Sequence, residues 1–179
     1  MSDLPQLYMR RDLEDLPPLI LPEGMSFHTQ DEKSAAVWEA MILESFGFPV
    51  SYEKVIVEGD GFRPENVFFL CENGQEIATT TAAEKAQVPG EGWLRMVASL
   101  PSAQGKGAGR LVCLRALYAL KEEGYPSVVL STDDFRLPAI RMYLRLGFQP
   151  LMNHESHPER WKKVMEELDR RKNVKKTTE

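Results

Sequence analysis

The chain has 179 residues, of which 42% are hydrophobic and 27% are charged, and its formal net charge is −5. This length fits one domain of ordinary size, which buries a core without metal or disulfide support. The composition excludes a disordered tail, a collagen and a disulfide-rich mini-domain, and the acidic balance argues against a nucleic-acid partner. The sequence shows neither the pattern of a signal peptide nor an apolar run that could span a bilayer. We therefore expect a cytoplasmic protein with no membrane partner.

The first part of the chain combines prolines with regularly placed apolar residues. Residues 1–24 contain four prolines and many leucines, so they are more apolar than a disordered leader. We expect this extension to pack on the domain, with Tyr8–Arg10 as an added edge strand. Ser26–His28 is predicted to be a short strand, and a helix is expected to start at Asp31 and to end at Gly47.

Three strand signals follow in the middle of the chain. Asn73-Gly74, the strongest short hairpin signal, separates Val67–Glu72 from Glu76–Ala83. Trp93–Ser99 is the third strand, after a turn at Pro89-Gly90. This section predicts an antiparallel meander.

The hydrophobic period changes after residue 100. The predicted elements are a helix that ends at Gly124, a buried strand at Ser127–Thr132, a helix at Pro138–Leu146, a strand at Phe148–Met152 and a helix over 157–172. The tail from Lys172 to Glu179 is expected to be frayed. Together with the meander, this order predicts a mixed α/β (α+β) fold with helices on the faces of the sheet.

Cysteine and histidine do not suggest a metal. Cys71 and Cys113 lack metal-ligand spacing and are expected to be packing residues. The three histidines are scattered along the chain, and His28 is expected to be structural. We therefore predict no metal cofactor.

The stretch at residues 104–110, Gln-Gly-Lys-Gly-Ala-Gly-Arg, carries the most chemical information. It follows a strand and opens a helix. Glycines allow several backbone N–H groups to converge, and the helix N-terminus adds unpaired donors and partial positive charge. Lys106 and Arg110 add full charges. This combination suits a phosphate or a pyrophosphate.

Two other interpretations of this loop remain open. The loop could be a flexible connection, although three alternating glycines are costly in entropy for that role. It could also be a dinucleotide site of the GxGxxG kind, which would indicate an NAD(P)-dependent oxidoreductase. Gly105 and Gly107 fit that pattern, but Arg110 stands in place of the third glycine.

A third interpretation comes from a family resemblance. Gln104–Gly109 matches the Q/R-x-x-G-x-G/A signature of the GNAT N-acetyltransferase superfamily. Ala139–Phe148 resembles the second signature of that superfamily, an alanine followed four residues later by Tyr143 and then by Gly-Phe. The resemblance covers about residues 25–152. It implies a central, mostly antiparallel sheet with a splayed parallel strand pair and helices on both faces.

The resemblance also implies acetyl-coenzyme A (acetyl-CoA) as the cosubstrate. The residues whose backbone would hold its pyrophosphate are Gln104, Gly105, Lys106, Gly107, Ala108, Gly109 and Arg110. The pantetheine arm would pair with the free edge at Val97, Ala98 and Ser99, and the Ser99 backbone would donate to the thioester oxygen. Tyr143 matches the general acid that protonates the departing thiolate.

Two departures from the family pattern affect these expectations. Arg136 stands where the second signature often has asparagine, so it pairs either with a cofactor phosphate or with Asp133 or Asp134. Residues 153–179 read as a helix and a basic tail, whereas the family usually ends with a hairpin. This second departure affects the expected acceptor pocket, because the last strands of the family usually help to form its wall.

The sequence leaves the base and the acceptor open. The candidate bases are Glu84, Glu91, His154 and Glu155, and the expected aromatic wall for the acceptor is Phe46, Phe48, Pro49 and Tyr52. The acceptor is a small-molecule or a peptide amine, and a homodimer through the last helix stays open. The leading hypothesis is direct acetyl transfer to a primary amine in a ternary complex. The alternative is a non-catalytic acyl-CoA-binding module.

Overall fold

The computed structural model describes residues 4–31, 33–59, 63–84 and 88–176, with side chains through residue 173. It divides into a central unit, Asp12–Val129, and a terminal unit formed by the chain up to Arg11 and from Leu130 onward. The strands are β1 Leu7–Asp12, β2 Met25–Thr29, β3 Val67–Glu72, β4 Gln75–Glu84, β5 Gly92–Ser99, β6 Ser127–Thr132 and β7 Gln149–Leu151. The α-helices are α1 Ser34–Phe46, α2 Ala108–Glu122, α3 Leu137–Arg145 and α4 His157–Lys176. In the described ranges, no helix is both long and apolar enough to cross a membrane.

The sheet of the central unit has the strand order β2-β3-β4-β5-β6. The strands from β2 to β5 pair antiparallel, whereas β5 and β6 pair parallel. Asn73 and Gly74 have φ of 51° and 83° in the β3–β4 turn, as a tight hairpin requires. The predicted meander and the mixed α/β fold class are confirmed.

Helices cover both faces of this sheet. Successive strand residues point to opposite faces. The guanidinium of Arg115 on α2 lies 4.7 Å from the centroid of the Phe68 ring. Phe69, the next residue, packs with Trp38 of α1 in a buried cluster. The α1 face and the α2 face of the sheet are therefore opposite, as the fold prediction requires.

The start of α1 differs from the prediction. The helix begins at Ser34, three residues after Asp31. An Asp31 carboxylate oxygen accepts the Lys33 N–H and the Ser34 hydroxyl, each at 2.9 Å. These hydrogen bonds hold the pKa of Asp31 below its usual range. Asp31 thus belongs to the turn that precedes the helix.

In the terminal unit, β1 pairs antiparallel with β7, and Tyr8 lies opposite Leu151. The strand order is β6-β1-β7, and β6 crosses the boundary between the units at Leu130. The predicted strand at Tyr8–Arg10 is therefore present, but the expectation of an edge position is wrong. The division of the chain at residues 24 and 152 stays a prediction.

The last helix is longer than predicted. It continues through Lys176, so the expectation of a frayed tail is wrong for residues 172–176. The rest of the predicted tail, residues 177–179, lies outside the described residues. Glu167 accepts hydrogen bonds from Arg170 and Arg171, each at 2.7 Å. Side-chain pairs spaced three and four residues apart support a helix. From residue 152 to residue 176, the described chain contains no strand, in agreement with the predicted helix.

Candidate active site

The glycine-rich loop joins a short 3-10 turn, Pro101–Ala103, to the first turn of α2. Gly105 and Gly107 have φ of 79° and 74°, in the left-handed region that side chains rarely adopt. A Cβ atom added at either glycine would meet no atom within 4 Å. The backbone is therefore open to the close approach of a ligand at both positions.

Within the described residues, most backbone N–H groups of the loop form no well-aligned hydrogen bond to a backbone carbonyl. Gln104 and Lys106 donate to the preceding turn, over 3.1 and 3.3 Å, and the Leu111 N–H donates to the Gly107 carbonyl at 3.0 Å. The N–H groups without a backbone acceptor in the described residues are those of Gly105, Gly107, Ala108, Gly109 and Arg110. These converging donors stand at the positive end of the helix dipole, so the loop fits a pyrophosphate.

The two cations of the loop have different environments. The Lys106 ammonium lies 2.6 Å from a carboxylate oxygen of Glu72 on β3, which ties the loop to the sheet. Arg110 is half-buried and forms no ion pair within the described part of the chain. Arg110 is therefore the cation that is ready to meet an anionic ligand, whereas Lys106 must first leave Glu72.

β5 separates from β6 soon after the two strands meet. Their parallel register consists of Gly92 opposite Val128 and Trp93 opposite Val129. Residues 94–99, which include the predicted Val97–Ser99 segment, follow this short register. An uncovered strand edge offers N–H and C=O groups to an extended ligand. This geometry matches the splayed parallel pair in the fold prediction.

A β-bulge accompanies this separation. Thr79 and Thr81 of β4 frame a register shift, and Met96 of β5 has φ of 51°, which is rare for a side chain other than glycine. The Thr80 hydroxyl donates to the Arg95 carbonyl at 3.0 Å across the bulge. A bulge bends its strand, which explains why β5 turns away from β6. The sequence pattern missed this bulge, because methionine carries no signal for a left-handed conformation.

Ser99 faces the uncovered edge. The Leu100 N–H donates to the Ile77 carbonyl of β4 at 2.9 Å. Hydrogen-bond directions alternate along an antiparallel strand, so the N–H and C=O of Ser99 point away from β4. Its carbonyl accepts the Ser45 hydroxyl of α1 at 3.0 Å. The Ser99 N–H therefore lies on the side where a ligand can pair, and Ser45, which no motif marks, holds the strand there.

Tyr143 lies on α3 in the terminal unit, with 6% of its surface exposed. Its ring meets Phe148 edge to face at a centroid distance of 5.9 Å. Gly147 has φ of 89°, and a Cβ atom there would lie 3.2 Å from the Arg11 guanidinium. The Arg11 guanidinium also donates to the Leu146 carbonyl. The Gly-Phe pair therefore ends α3 and packs against the face that carries Tyr143.

Arg136 also belongs to the terminal unit. Its Nε donates to an Asp133 carboxylate oxygen at 2.9 Å, so the structure shows one of the pairings that the sequence left open. Asp134 instead accepts the Nε of Arg160 at 2.9 Å, and this contact holds the pKa of Asp134 below its usual range. A cofactor role for Arg136 stays a prediction.

The candidate bases have ordinary surroundings. The His154 Nδ1 accepts the Ser156 N–H at 3.1 Å, so a neutral ring carries its proton on Nε2. A Glu91 carboxylate oxygen accepts a serine hydroxyl of β6 at 3.2 Å. Glu84 and Glu155 are exposed. These contacts leave the choice of base open.

One part of the expected acceptor wall is wrong. Tyr52 is only 3% exposed, and its ring meets Trp38 edge to face at 5.4 Å. Its hydroxyl donates to Gln30 at 2.5 Å, and burial raises its pKa to about 12. Tyr52 is therefore a core residue, whereas Phe48 is half exposed beside Phe46.

Comparison with known proteins tests the family resemblance. A family model described as "Acetyltransferase (GNAT) family" matches residues 34–148, which is more than half of the chain. The chain belongs to the GNAT acetyltransferase family. The resemblance to the GNAT superfamily that the two sequence signatures indicated is thus confirmed.

Two curated proteins named mycothiol acetyltransferase are similar to this GNAT chain. The one from Thermomonospora curvata is 30% identical over 152 residues, and the match covers 79% of this chain and 50% of the relative. The one from Nocardia farcinica is 37% identical over 156 residues, and the match covers 79% of this chain and 52% of the relative. The GNAT chain therefore spans about half the length of these relatives.

Solved structures show the same fold. A GCN5-related N-acetyltransferase from Sphaerobacter thermophilus aligns with a TM-score of 0.64 and 23% identity, over 83% of this chain and 50% of that one. The ribosomal-protein-S18-alanine N-acetyltransferase from Escherichia coli aligns with a TM-score of 0.58 and 24% identity, over 70% and 77% of the two chains. These likenesses support the GNAT fold of the chain.

Proposed function

We propose that this chain transfers the acetyl group of acetyl-CoA to a primary amine, by direct transfer in a ternary complex. The observation that carries the proposal is the open glycine loop. Gly105 and Gly107 expose their backbone, and the first turn of α2 presents unpaired N–H donors beside them. This cradle fits the pyrophosphate of a coenzyme A ester.

The chain offers distinct groups to distinct parts of the donor. The loop N–H groups from Gly105 to Arg110 would bind the pyrophosphate, with the Arg110 guanidinium as the nearby cation. The edge at Val97–Ser99 would pair with the extended pantetheine arm. Acetyl-CoA supplies the activated thioester. Two bound substrates held in reacting geometry account for much of the rate in a direct transfer.

Two groups of the chain would assist the chemical step. Negative charge develops on the thioester oxygen as an amine attacks, and a fixed donor such as the Ser99 N–H can lower the barrier by about 3 kcal/mol. A tyrosine with a pKa near 10 is protonated at neutral pH, so the Tyr143 hydroxyl can give its proton to the departing thiolate. We assign these two roles to Ser99 and Tyr143.

The acceptor is proposed to be a primary amine of a small molecule or of a peptide. The names of the curated relatives connect those proteins with mycothiol. Amines related to mycothiol therefore belong among the first acceptors to test, beside polyamines, aminoglycosides and peptide N-termini.

Release of the coenzyme A thiol tests this function. The full chain is incubated with acetyl-CoA and each amine, and the free thiol is measured with a colorimetric disulfide reagent. We expect thiol release that depends on at least one amine, together with the matching acetylated product. Binding of acetyl-CoA without turnover on any amine would contradict an enzyme and would favour the non-catalytic acyl-CoA-binding module.

A further inference from the structure

Three metal-ligating side chains come together on the α1 face of the central sheet, at a distance in sequence from the glycine loop. They are His28 on β2, Cys71 on β3 and Glu76 on β4, and their ligand atoms all lie within 4.8 Å of one another. Cys71 lies directly opposite Glu76 in the β3–β4 register. His28 lies opposite Phe69, two residues before Cys71 and on the same face. Three neighbouring strands therefore contribute one ligand each.

The hydrogen-bond partners of His28 fix where its two ring nitrogens point, and both nitrogens are directed at oxygen atoms. Its Nδ1 lies 2.7 Å from the Thr29 carbonyl oxygen, which can only accept, so Nδ1 carries a proton. In a neutral ring, Nε2 then has a lone pair, and it lies 3.2 Å from a carboxylate oxygen of Glu76. Nε2 and the Glu76 oxygen can therefore act as two ligands of one metal ion.

The ring of His28 is also fixed in orientation. It stacks on Phe69 with a centroid distance of 5.0 Å and an interplanar angle of 10°. The Thr29 carbonyl and the Phe69 ring together hold Nε2 toward Glu76. A backbone carbonyl on the far nitrogen is the usual way in which proteins orient a metal-binding histidine. This support distinguishes the cluster from three side chains that meet by accident.

We propose that His28, Cys71 and Glu76 bind a divalent metal ion, and that this ion is Zn²⁺. Imidazole, thiolate and carboxylate are the ligands of zinc sites, and a thiolate disfavours Mg²⁺ and Ca²⁺. Two ligands about 2.1 Å from a tetrahedral zinc are roughly 3.4 Å apart, close to the 3.2 Å between Nε2 and the Glu76 oxygen. One thiolate and one carboxylate neutralise the two charges of the ion, and a water molecule completes the coordination.

A nucleophilic thiol is the competing role for Cys71, and the contacts oppose it. Both nitrogens of His28 are already directed at oxygen atoms, so neither is arranged to take the proton of the thiol. Burial raises the pKa of Cys71, which disfavours a free thiolate. Binding of a metal ion would displace the thiol proton into solvent, because a coordinated thiol is deprotonated. The cluster therefore suits a ligand set better than a reactive cysteine.

Cobalt titration of the full chain tests the site without any activity assay. The protein is freed of metal by a chelator, and Co²⁺ is added while absorption is recorded. We expect a thiolate-to-cobalt charge-transfer band and the visible bands of a tetrahedral ion, which one equivalent of Zn²⁺ abolishes and excess Mg²⁺ does not. We also expect Zn²⁺ to raise the melting temperature, since a ligand that binds only the folded state stabilises it.

Matched variants locate the metal. Cys71→Ser should lose the charge-transfer band, and His28→Gln and Glu76→Gln should each weaken Co²⁺ binding at least about tenfold. Mutation of a residue that only hydrogen-bonds a metal ligand already lowers metal affinity about 10- to 100-fold. Cys113→Ala and Glu72→Gln are the controls, since Cys113 lies on α2 and Glu72 contacts Lys106. Both controls should keep the spectrum.

Several outcomes would overturn the assignment. The folded chain could show no charge-transfer band with Co²⁺, which would contradict a thiolate-bound metal ion at this cluster. The band could persist in Cys71→Ser or disappear in Cys113→Ala. If Cys71→Ser does not fold, unchanged Co²⁺ affinity in both His28→Gln and Glu76→Gln would contradict the site on its own.

Discussion

Substitution of Gly107 separates the ligand role of the loop from its conformation. Gly107 has φ of 74°, and a Cβ atom there meets nothing within 4 Å. Gly107→Ala therefore adds backbone strain without an internal clash. A side chain in the left-handed region costs about 1–2 kcal/mol, and the smaller entropy of unfolded alanine offsets part of this. We expect a loss of about 1 kcal/mol, or roughly 2–4 °C in melting temperature.

The loss of binding free energy for acetyl-CoA should be larger than this loss of stability. In the proposed site, the added methyl group would stand where the backbone approaches the pyrophosphate. Loss of one hydrogen bond to a charged group costs about 1.5–3 kcal/mol, which corresponds to binding that is about 10- to 150-fold weaker. Calorimetric titration with acetyl-CoA measures this change, and thermal melting confirms that the variant is folded.

Gly124 provides a matched control at the other end of α2. It has φ of 91°, and a Cβ atom there also meets nothing within 4 Å. Gly124→Ala should cost a similar amount of stability and leave the affinity for acetyl-CoA unchanged. Equal affinities of Gly107→Ala and Gly124→Ala, both folded, would refute the assignment of the loop to the pyrophosphate.

Three further predictions concern other parts of the molecule. Tyr143→Phe should lower kcat at least about tenfold while the Kd for acetyl-CoA stays the same, because it keeps the ring and removes the hydroxyl proposed to protonate the thiolate. Equal kcat values would remove Tyr143 from the mechanism. Ser45→Ala removes the 3.0 Å hydrogen bond to the Ser99 carbonyl, so it should lower the free energy of unfolding by about 1 kcal/mol and weaken acetyl-CoA binding. Urea melts measure the stability and calorimetry measures the binding. Unchanged values of both would show that Ser45 does not hold the strand. Arg160 holds the pKa of Asp134 below its usual range. The pair therefore stabilises the folded state fully at pH values above the unfolded pKa of about 4. This stabilisation is lost as the pH falls through the lower pKa of the folded state. Asp134→Asn should therefore cost about 1 kcal/mol at neutral pH, after allowance for solvent screening, and almost nothing near about pH 2, as urea melts at the two pH values will show; equal costs at both would contradict the electrostatic origin.

Local chemistry made much of the fold predictable. Asn73-Gly74 sets a hairpin because both residues tolerate positive φ, and the structure has both in that region. Gly47 and Gly124 end their helices for the same reason. The glycine loop was recognisable because its backbone conformation, with positive φ, requires glycine at specific positions.

Features that depend on contacts between distant residues were not predictable. The bulge at Met96 arises from a register shift between two strands, and the Ser45–Ser99 hydrogen bond joins residues that are 54 positions apart. Tyr52 was expected in the acceptor wall, yet its packing against Trp38 makes it a core residue. His28, Cys71 and Glu76 lie on three strands without motif spacing, so the sequence does not indicate that they form a cluster. Strand pairing alone brings them together.

Calorimetric titration of the folded, unmodified chain with acetyl-CoA tests the central claim most directly. The account predicts saturable binding with a Kd in the micromolar range and competition by free coenzyme A. In the proposed site, the loop and the β5 edge would recognise the coenzyme rather than the acetyl group. The absence of binding by a folded chain would contradict the assignment of the glycine loop and, with it, the proposed acetyl transfer.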